Sequence, residues 1–223
     1  IALYARNSSH WAITFFAIMA HGGVIVPILP DFSVENVHNI LEHSEAKVLF
    51  VEDSLYRELE PEPFKNIRFS VSVDDFNILD SAPDFNKNVA IEPAENLDKQ
   101  NFSFPERDGE DLLILSYTSG STGFSKGVMI PFRSIESNIR YARENMPLKA
   151  GNRIVSFLPM AHLIGLAFEI LFPVSLGCHI TIVTKVPSPQ ILLSALGSVK
   201  PHLILMVPLV IEKVYKKRIV PSL

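Results

Sequence analysis

The chain has 223 residues, of which 48% are hydrophobic and 20% are charged, and its formal net charge is −4. This composition can fill a large core, and 20 basic against 24 acidic residues, with no basic stripe, argue against nucleic-acid binding. The single cysteine, Cys178, excludes an internal disulfide and a cysteine-based metal site, and it fits the reducing cytoplasm, where we expect the protein. No apolar run is long enough for a membrane helix.

Strand-like and helix-like segments alternate in the first part of the chain. The predicted strands are the apolar runs 1–5, 24–29 and 46–51. The predicted helices are 10–20, capped by Asn7, Ser8 or Ser9, and a second helix capped by Ser33. Because the strands are apolar throughout, the pattern is typical of an α/β fold with helices on both faces of a mostly parallel sheet. The chain starts at Ile1 inside a strand-like run, so we expect it to be a piece of a longer protein.

Residues 54–110 carry weaker signals. Apolar residues alternate at 69, 71 and 73, which predicts a strand over 67–73. From 80 to 111 the chain is rich in proline, asparagine and acidic residues without periodicity, which predicts a long exposed connection. The scattered histidines His10, His21, His38 and His43 are expected to be structural, because isolated histidines seldom form a site.

A polar loop at residues 117–127, YTSGSTGFSKG, lies between two apolar runs, 112–115 and 128–130, that predict strands. Its glycines let backbone amides approach an anion, its hydroxyls donate further hydrogen bonds, and Lys126 adds a positive charge suited to phosphate. A flexible glycine/serine turn is the plainer alternative. The common P-loop is excluded, because Ser125 precedes the lysine and Gly127 follows it. The loop therefore predicts a polyphosphate-binding site.

This loop resembles the signature YTSG[ST]TGxPKGV of the adenylate-forming, or AMP-binding, enzymes, which include acyl-CoA synthetases, luciferases and peptide-synthetase adenylation domains. Residues 117–128 match everywhere except Ser125, which replaces a proline. Segments 7–11, 22–27 and 46–47 resemble further sheet-building motifs of that family. The resemblance implies that ATP is bound by Thr118, Ser119, Gly120, Ser121, Thr122, Gly123 and Lys126. It also implies that Thr122 contacts Mg²⁺, and that Thr122 and Lys126 act in catalysis.

Helices and strands keep alternating after the loop. The predicted helices are 134–145, capped by Ser134, then 161–174, 187–199 and the start of one at 209–217. The predicted strands are 153–157, 178–184 and 202–207. We divide the chain into three parts: a first α/β region at 1–110 with a long variable connection, the phosphate-binding loop between two strands at 111–133, and a second α/β region at 134–223, truncated at its C-terminal end.

A second candidate element is the LPMAH segment at 158–162, where a strand gives way to a helix. Open α/β sheets bind ligands at that edge, although a lone histidine there is more often a helix cap or a buried polar group. With Gly165, the segment resembles the LPxxHxxG motif of the same family. The resemblance implies that His162 lies near the acyl carboxylate and acts in catalysis, and that Gly165 and Phe168 adjoin the acyl pocket.

The segment at 207–215, VPLVIEKVY, resembles VPRVxEKxY of long-chain acyl-CoA synthetases, with Leu209 in place of the arginine. The resemblance thus implies that ATP and Mg²⁺ activate a carboxylic acid, a long-chain fatty acid before others, to an acyl-adenylate and then to a coenzyme A thioester. Peripheral membrane contact of the intact protein is a further expectation. A non-catalytic nucleotide-binding module, and adenylation of an aryl, short-chain or amino acid, stay open as alternatives.

Later motifs of that family do not occur in these residues. They are a Tyr-Gly-x-Thr-Glu segment for adenine and metal, a ribose-binding aspartate, and a lysine on a mobile C-terminal domain. We therefore expect this piece to be inactive by itself, and we expect its apolar surface to cause self-association.

Overall fold

The computed structural model describes residues 1–59, 64–82, 103–118, 126–186, 188–208 and 212. Two compact units divide the chain, Ile1–Glu136 and Ser137–Leu223. Each unit contains parallel strands that alternate with helices along the chain. The predicted α/β class with mostly parallel sheets is therefore confirmed. The three-part division at 1–110, 111–133 and 134–223 stays a prediction.

The main sheet of the first unit has five strands: β1 (Ala2–Tyr4), β2 (Val26–Ile28), β3 (Val48–Val51), β4 (Phe69–Ser72) and β5 (Ile78–Ser81). Their order is β2-β1-β3-β4-β5. The first four strands are parallel, and β5 runs antiparallel to β4. Leu3 of β1 lies opposite Pro27 of β2 on one side and Phe50 of β3 on the other. The strands predicted from apolar runs are confirmed. Strand β5 is not predicted: it begins at Ile78 and overlaps the first two residues of the exposed connection expected at 80–111.

The helices of the first unit are α1 (Ser9–Ala20), α2 (Val34–His43) and α3 (Asp53–Glu58). Ser8 caps α1, since its hydroxyl accepts a hydrogen bond from the amide of Trp11 at 3.0 Å. Ser33 caps α2 in the same way, with the amide of Asn36 as donor at 3.3 Å. Gly22 follows α1 with a φ of +86°, a left-handed conformation that favours glycine. The two predicted helices are confirmed, and α3 is an addition that the sequence pattern does not predict.

A two-stranded antiparallel hairpin forms a sheet of its own beside β2, linked to it through Ile25. Its strands are β6 (Leu112–Thr118) and β7 (Lys126–Pro131). The amide of Ile25 donates to the carbonyl of Leu113, and the amide of Leu115 donates to the carbonyl of Ile25, both at 2.9 Å. The hairpin is thus anchored next to the residue that precedes β2.

Helix α4 (Phe132–Asn145) follows β7 directly. The predicted cap at Ser134 is wrong, because the helix already begins at Phe132 and Ser134 lies inside its first turn. Carbonyls of the loop before β6 accept hydrogen bonds from the first helical amides instead. The amide of Phe132 donates to the carbonyl of Asp111, and that of Arg133 donates to the carbonyl of Gly109, each at 2.9 Å.

The second unit contains two parallel strands, β8 (Arg153–Ser156) and β9 (His179–Ile182). Its helical elements after α4 are α5 (Leu163–Gly165), a π-helical segment (Leu166–Leu171), α6 (Phe172–Leu176) and α7 (Pro189–Val199). The predicted helix at 161–174 is therefore three consecutive helical segments. The predicted strand at 202–207 is wrong, because only Leu203 pairs with β8, through one parallel bridge to Ile154. The helix start predicted at 209–217 lies outside the described residues except for Glu212.

Each unit has its own apolar core. In the first unit, Val37 and Ile40 of α2 pack in one cluster with Leu49 and Val51 of β3. In the second unit, one cluster is Ala142, Leu148, Ile154 and Phe172, and a second is Val155, Phe157, Leu158 and Leu192. Within the described part of the chain, no helix combines the length and the apolarity needed to cross a bilayer.

Candidate functional site

The two ends of the predicted phosphate loop lie side by side. Thr118 at the end of β6 and Lys126 at the start of β7 are partners in the hairpin register, and both are exposed. Hence the structure places a hydroxyl residue and a lysine residue together at the end of the hairpin that carries the loop. The other predicted nucleotide-binding residues, at positions 119–123, lie outside the described residues: Ser119, Gly120, Ser121, Thr122 and Gly123.

Tyr117 anchors the loop end of this hairpin in the first unit. The residue is 5% exposed, and its hydroxyl lies 2.7 Å from Nδ1 of His43 on α2. The two rings meet edge to face, with centroids 5.7 Å apart. Burial raises the pKa of the Tyr117 hydroxyl. The phenol therefore stays protonated throughout the neutral pH range, so that its hydroxyl remains available for this hydrogen bond with the imidazole.

Gly127 makes room for the ring of Tyr117. The two residues are partners across the hairpin. A Cβ atom on Gly127 would lie 3.3 Å from Cζ of Tyr117 and 3.2 Å from Cδ1 of Leu115, closer than ordinary packing distances. The glycine at the end of the motif therefore lets an aromatic ring lie across the neighbouring strand.

Replacing Tyr117 with phenylalanine should lower the free energy of unfolding by about 1 kcal/mol, because it removes a largely buried hydrogen bond and leaves the ring packing intact. Urea denaturation of this chain measures the change. Tyr141→Phe is the matched control: that side chain is 60% exposed, so its effect should stay within about 0.5 kcal/mol. In a His43→Ala background, Tyr117→Phe should cost less than in the unchanged chain. An equal cost in both backgrounds would show that the two side chains are not coupled.

The second candidate element lies at the carboxyl end of β8, in the second unit. His162 is exposed and precedes α5 directly. Its Nδ1 accepts from the amide of Ile164 at 3.4 Å, and its backbone amide donates to the carbonyl of Pro159 at 3.0 Å. Thus His162 closes the turn after β8 and caps the next helix. An exposed imidazole at this edge is also accessible to a ligand.

Gly165 lies directly beneath that turn. Its φ of −61° and ψ of −47° are ordinary helical values, so the backbone conformation does not require glycine. The lack of space for a side chain does require glycine. A Cβ atom at this position would overlap the carbonyl oxygen of Pro159, and it would lie 3.1 Å from the carbonyl carbon of that residue and 3.2 Å from Cβ of Leu158. Helix α5 and the turn are therefore in close backbone contact.

Phe168 is half-buried and packs against the apolar cluster that contains Ile154 and Phe172. These contacts make it part of the core of the second unit. Its assignment to an acyl pocket stays a prediction, as do the assignments of His162 and Gly165. The three residues share one unit, whereas Thr118 and Lys126 belong to the other.

Glu169 is a site feature that the sequence interpretation misses. It is only 1% exposed, although it lies in an apolar helical segment. Its Oε2 accepts hydrogen bonds from the amides of Phe157 and Leu158, both at 2.9 Å. Burial raises the pKa of this carboxyl to about 7, against the opposing effects of the two amides and the Ser156 hydroxyl. A single acid within the apolar run 163–174 is the signal that could have identified it.

No cluster of three or more histidine, cysteine, aspartate or glutamate residues suited to a metal ion occurs among the residues the structure describes. The predicted Mg²⁺ contact is a threonine hydroxyl, and Thr122 lies outside those residues. The Thr118 hydroxyl and the Lys126 ammonium group can both donate hydrogen bonds to phosphate oxygens. These two groups, at the loop end of the hairpin, therefore fit a nucleotide phosphate.

Comparison with known proteins finds similar sequences over nearly the whole chain. The family model described as AMP-binding enzyme matches residues 1–221. A long-chain-fatty-acid–CoA ligase of Mycobacterium bovis is 32% identical over 224 residues, which cover 96% of this chain and 35% of that protein. The probable acyl-activating enzyme 16, chloroplastic, of Arabidopsis thaliana is 30% identical, over 96% of this chain and 31% of that protein.

A solved structure shares the fold. The natural red-emitting luciferase from Phrixothrix hirtus superposes with a TM-score of 0.76 at 19% identity, over 99% of this chain and 43% of that chain. At this identity the likeness establishes the fold alone. The chain spans about a third of the length of the curated relatives described above. Its fold and the match over residues 1–221 together show that the chain belongs to the AMP-binding enzyme family.

Proposed function

We propose that this chain supplies the phosphate-binding hairpin and part of the acyl site of an enzyme that activates a carboxylic acid with ATP and transfers the acyl group to coenzyme A. The observation that supports it most is the register pair of Thr118 and Lys126 in a chain of the AMP-binding family. The pair presents a hydroxyl and an ammonium group together at the loop end of the hairpin. The neighbouring Tyr117 holds this end through its hydrogen bond with His43.

The chemistry requires charge stabilisation at the phosphates. A carboxylate oxygen attacks the α-phosphorus of ATP, and the bond from that phosphorus to pyrophosphate breaks. Negative charge then grows on the β- and γ-phosphates, where the ammonium group of Lys126 would stabilise it. The hydroxyls of Thr118 and Thr122 would donate further hydrogen bonds to the same oxygens. Mg²⁺, when bound, would neutralise additional phosphate charge, with Thr122 as its proposed contact in this chain.

The acyl side of the reaction is assigned to the turn after β8. The exposed His162 would face the carboxylate, and the close contact of Gly165 with Pro159 would keep that turn in one conformation. In the second half-reaction a thiol sulfur attacks the acyl carbonyl, and AMP leaves. A long-chain fatty acid is the proposed substrate, which the name of the Mycobacterium bovis relative supports. Peripheral membrane contact and self-association stay predictions.

Carboxylate-dependent ATP–pyrophosphate exchange tests this proposal on the full-length gene product. We expect long-chain fatty acids to support faster exchange than short-chain, aryl or amino acids. Lys126→Ala should slow the exchange about a hundredfold, because it removes a charge that stabilises the transition state. Lys65→Ala is the matched control and should leave the rate within about twofold. Its ion pair with Glu42, at 3.0 Å, is largely exposed and contributes little.

Each result has a distinct meaning. Exchange driven by another class of acid would keep the adenylation chemistry and replace the proposed substrate. A rate that Lys126→Ala leaves unchanged would contradict the role of the hairpin. Exchange with none of the acids would contradict the enzyme and would favour a non-catalytic nucleotide-binding module.

A further inference from the structure

Glu169 is the one carboxylate in the described part of the chain that is fully buried. It lies in the π-helical segment Leu166–Leu171, which connects α5 to α6. π-helical turns are rare in proteins, and many of those that do occur lie at functional sites. A buried carboxylate is costly unless other groups compensate it. Its contacts therefore indicate what the side chain does.

The carboxylate accepts hydrogen bonds from the two backbone amides that directly follow β8. At that end of β8, the amide of Val183 still donates to the carbonyl of Ser156 at 2.8 Å. The next two amides, of Phe157 and Leu158, both donate to Oε2 of Glu169 at 2.9 Å. Buried amides need an acceptor. Glu169 thus replaces a neighbouring strand as the acceptor for these two residues.

The same turn is held from its other end. The amide of His162 donates to the carbonyl of Pro159 at 3.0 Å, and Gly165 packs against that carbonyl group. Leu158 precedes Pro159 directly, so Glu169 fixes the start of the segment that His162 closes. Oε1 of Glu169 accepts no hydrogen bond of ordinary geometry, although the Ser156 hydroxyl is near enough to lower the pKa of the carboxyl. Oε2 therefore accepts both backbone hydrogen bonds, from Phe157 and Leu158.

We propose that Glu169 is a positioning residue, which holds the turn at 158–162 through two backbone hydrogen bonds and thereby sets the place of His162 at the acyl site. This inference rests on the proposed function, because it assigns Glu169 to the binding of the carboxylate substrate. Glu169 acts through the backbone of the turn and does not itself contact the reacting atoms.

Three substitutions of Glu169 separate positioning from other roles. Glu169→Gln keeps a carbonyl oxygen that can accept from both amides. Glu169→Asp keeps the acid but withdraws it by one methylene group, and Glu169→Leu removes the acceptor. Steady-state pyrophosphate exchange on the full-length gene product gives the KM for the fatty acid and the KM for ATP separately. The concentration of folded protein is measured for each variant, so that partial unfolding is not read as lost binding.

We expect Glu169→Gln to keep both KM values within about twofold of the unchanged enzyme. Glu169→Asp should raise the KM for the fatty acid about tenfold or more, with the KM for ATP within about twofold, and Glu169→Leu should do so to a greater extent if it folds. If the leucine variant does not fold, the KM values of the aspartate variant are sufficient to test the inference.

Two results would overturn the inference while leaving the proposed function intact. The first is an unchanged KM for the fatty acid in folded Glu169→Asp, which would make Glu169 a purely structural residue. The second is a glutamine variant that is more impaired than the aspartate variant, which would assign Glu169 an acid–base role. Absence of exchange in the unchanged enzyme would instead overturn the proposed function and this inference together.

Discussion

Replacing Gly165 with alanine should lower the free energy of unfolding by about 3 kcal/mol or more. The added methyl group would overlap the carbonyl oxygen of Pro159, which is backbone and cannot rotate away. Relief therefore requires α5 to move away from the turn at 158–162, and this movement would disturb the packing of the buried Leu158. Urea denaturation of this chain, followed by circular dichroism, measures the loss of stability.

Two other glycines of the second unit provide matched controls. Gly197 lies within α7 with open space around its Cβ position, so Gly197→Ala should be neutral or stabilising by up to about 1 kcal/mol. Gly177 also has open space, but its φ is +75°, so Gly177→Ala should cost about 1 kcal/mol of backbone strain. If Gly165→Ala costs no more than Gly177→Ala, the close contact between α5 and the turn is contradicted.

Apolar runs and capping residues predict much of the first unit. Ser8 and Ser33 are recognisable because a hydroxyl residue precedes a helical pattern, and both cap their helices in the structure. Strands β1 and β2 are recognisable because every residue in them is buried, and β3 because its four residues are all apolar, as is typical of strands in a parallel sheet. These are local signals, and they are carried by neighbouring residues along the chain.

Elements that depend on distant partners are not predictable in this way. Ile78 and Leu79 of β5 are 39% and 36% exposed, so the strand forms through pairing with β4 and leaves no buried stripe in the sequence. Conversely, residues 202–207 have an apolar pattern, yet only Leu203 pairs with β8. Backbone pairing, rather than hydrophobicity, decides both cases.

The candidate site also combines features that local sequence patterns predict with features that depend on distant residues. Two apolar runs around a polar loop predict two strands, and the structure pairs these strands as a hairpin in which Thr118 lies opposite Lys126. The contact between Tyr117 and His43 spans 74 residues of sequence, and no local pattern indicates it. The sequence predicts a structural role for His43, and its contact with Tyr117 near the loop end of the hairpin is consistent with that role. Glu169 is missed because the amides that donate to it belong to Phe157 and Leu158, 12 and 11 residues earlier, directly after β8.

The buried carboxyl of Glu169 should also make the stability of this chain depend on pH. Its pKa is about 7 in the folded state, against an ordinary value of 4.5. Between these two values the folded state retains a proton that the unfolded state has released. The stabilisation is therefore fully present below about pH 4.5 and is lost as the pH rises through about 7. The free energy of unfolding should fall by about 3 kcal/mol over that range from this group alone.

Other groups titrate over the same range, so the measured quantity is the difference between the unchanged chain and Glu169→Gln. Urea denaturation of both at several values from about pH 5 to about pH 8 should show the glutamine variant becoming more stable, relative to the unchanged chain, as the pH rises. Its amide stays neutral, so the burial of a charge no longer opposes folding at high pH. Glu144→Gln is the matched control, since Glu144 is exposed on α4, and its difference should be flat. A difference that is flat for Glu169→Gln as well would mean that this carboxyl ionises normally, and that water reaches it behind the turn that carries His162.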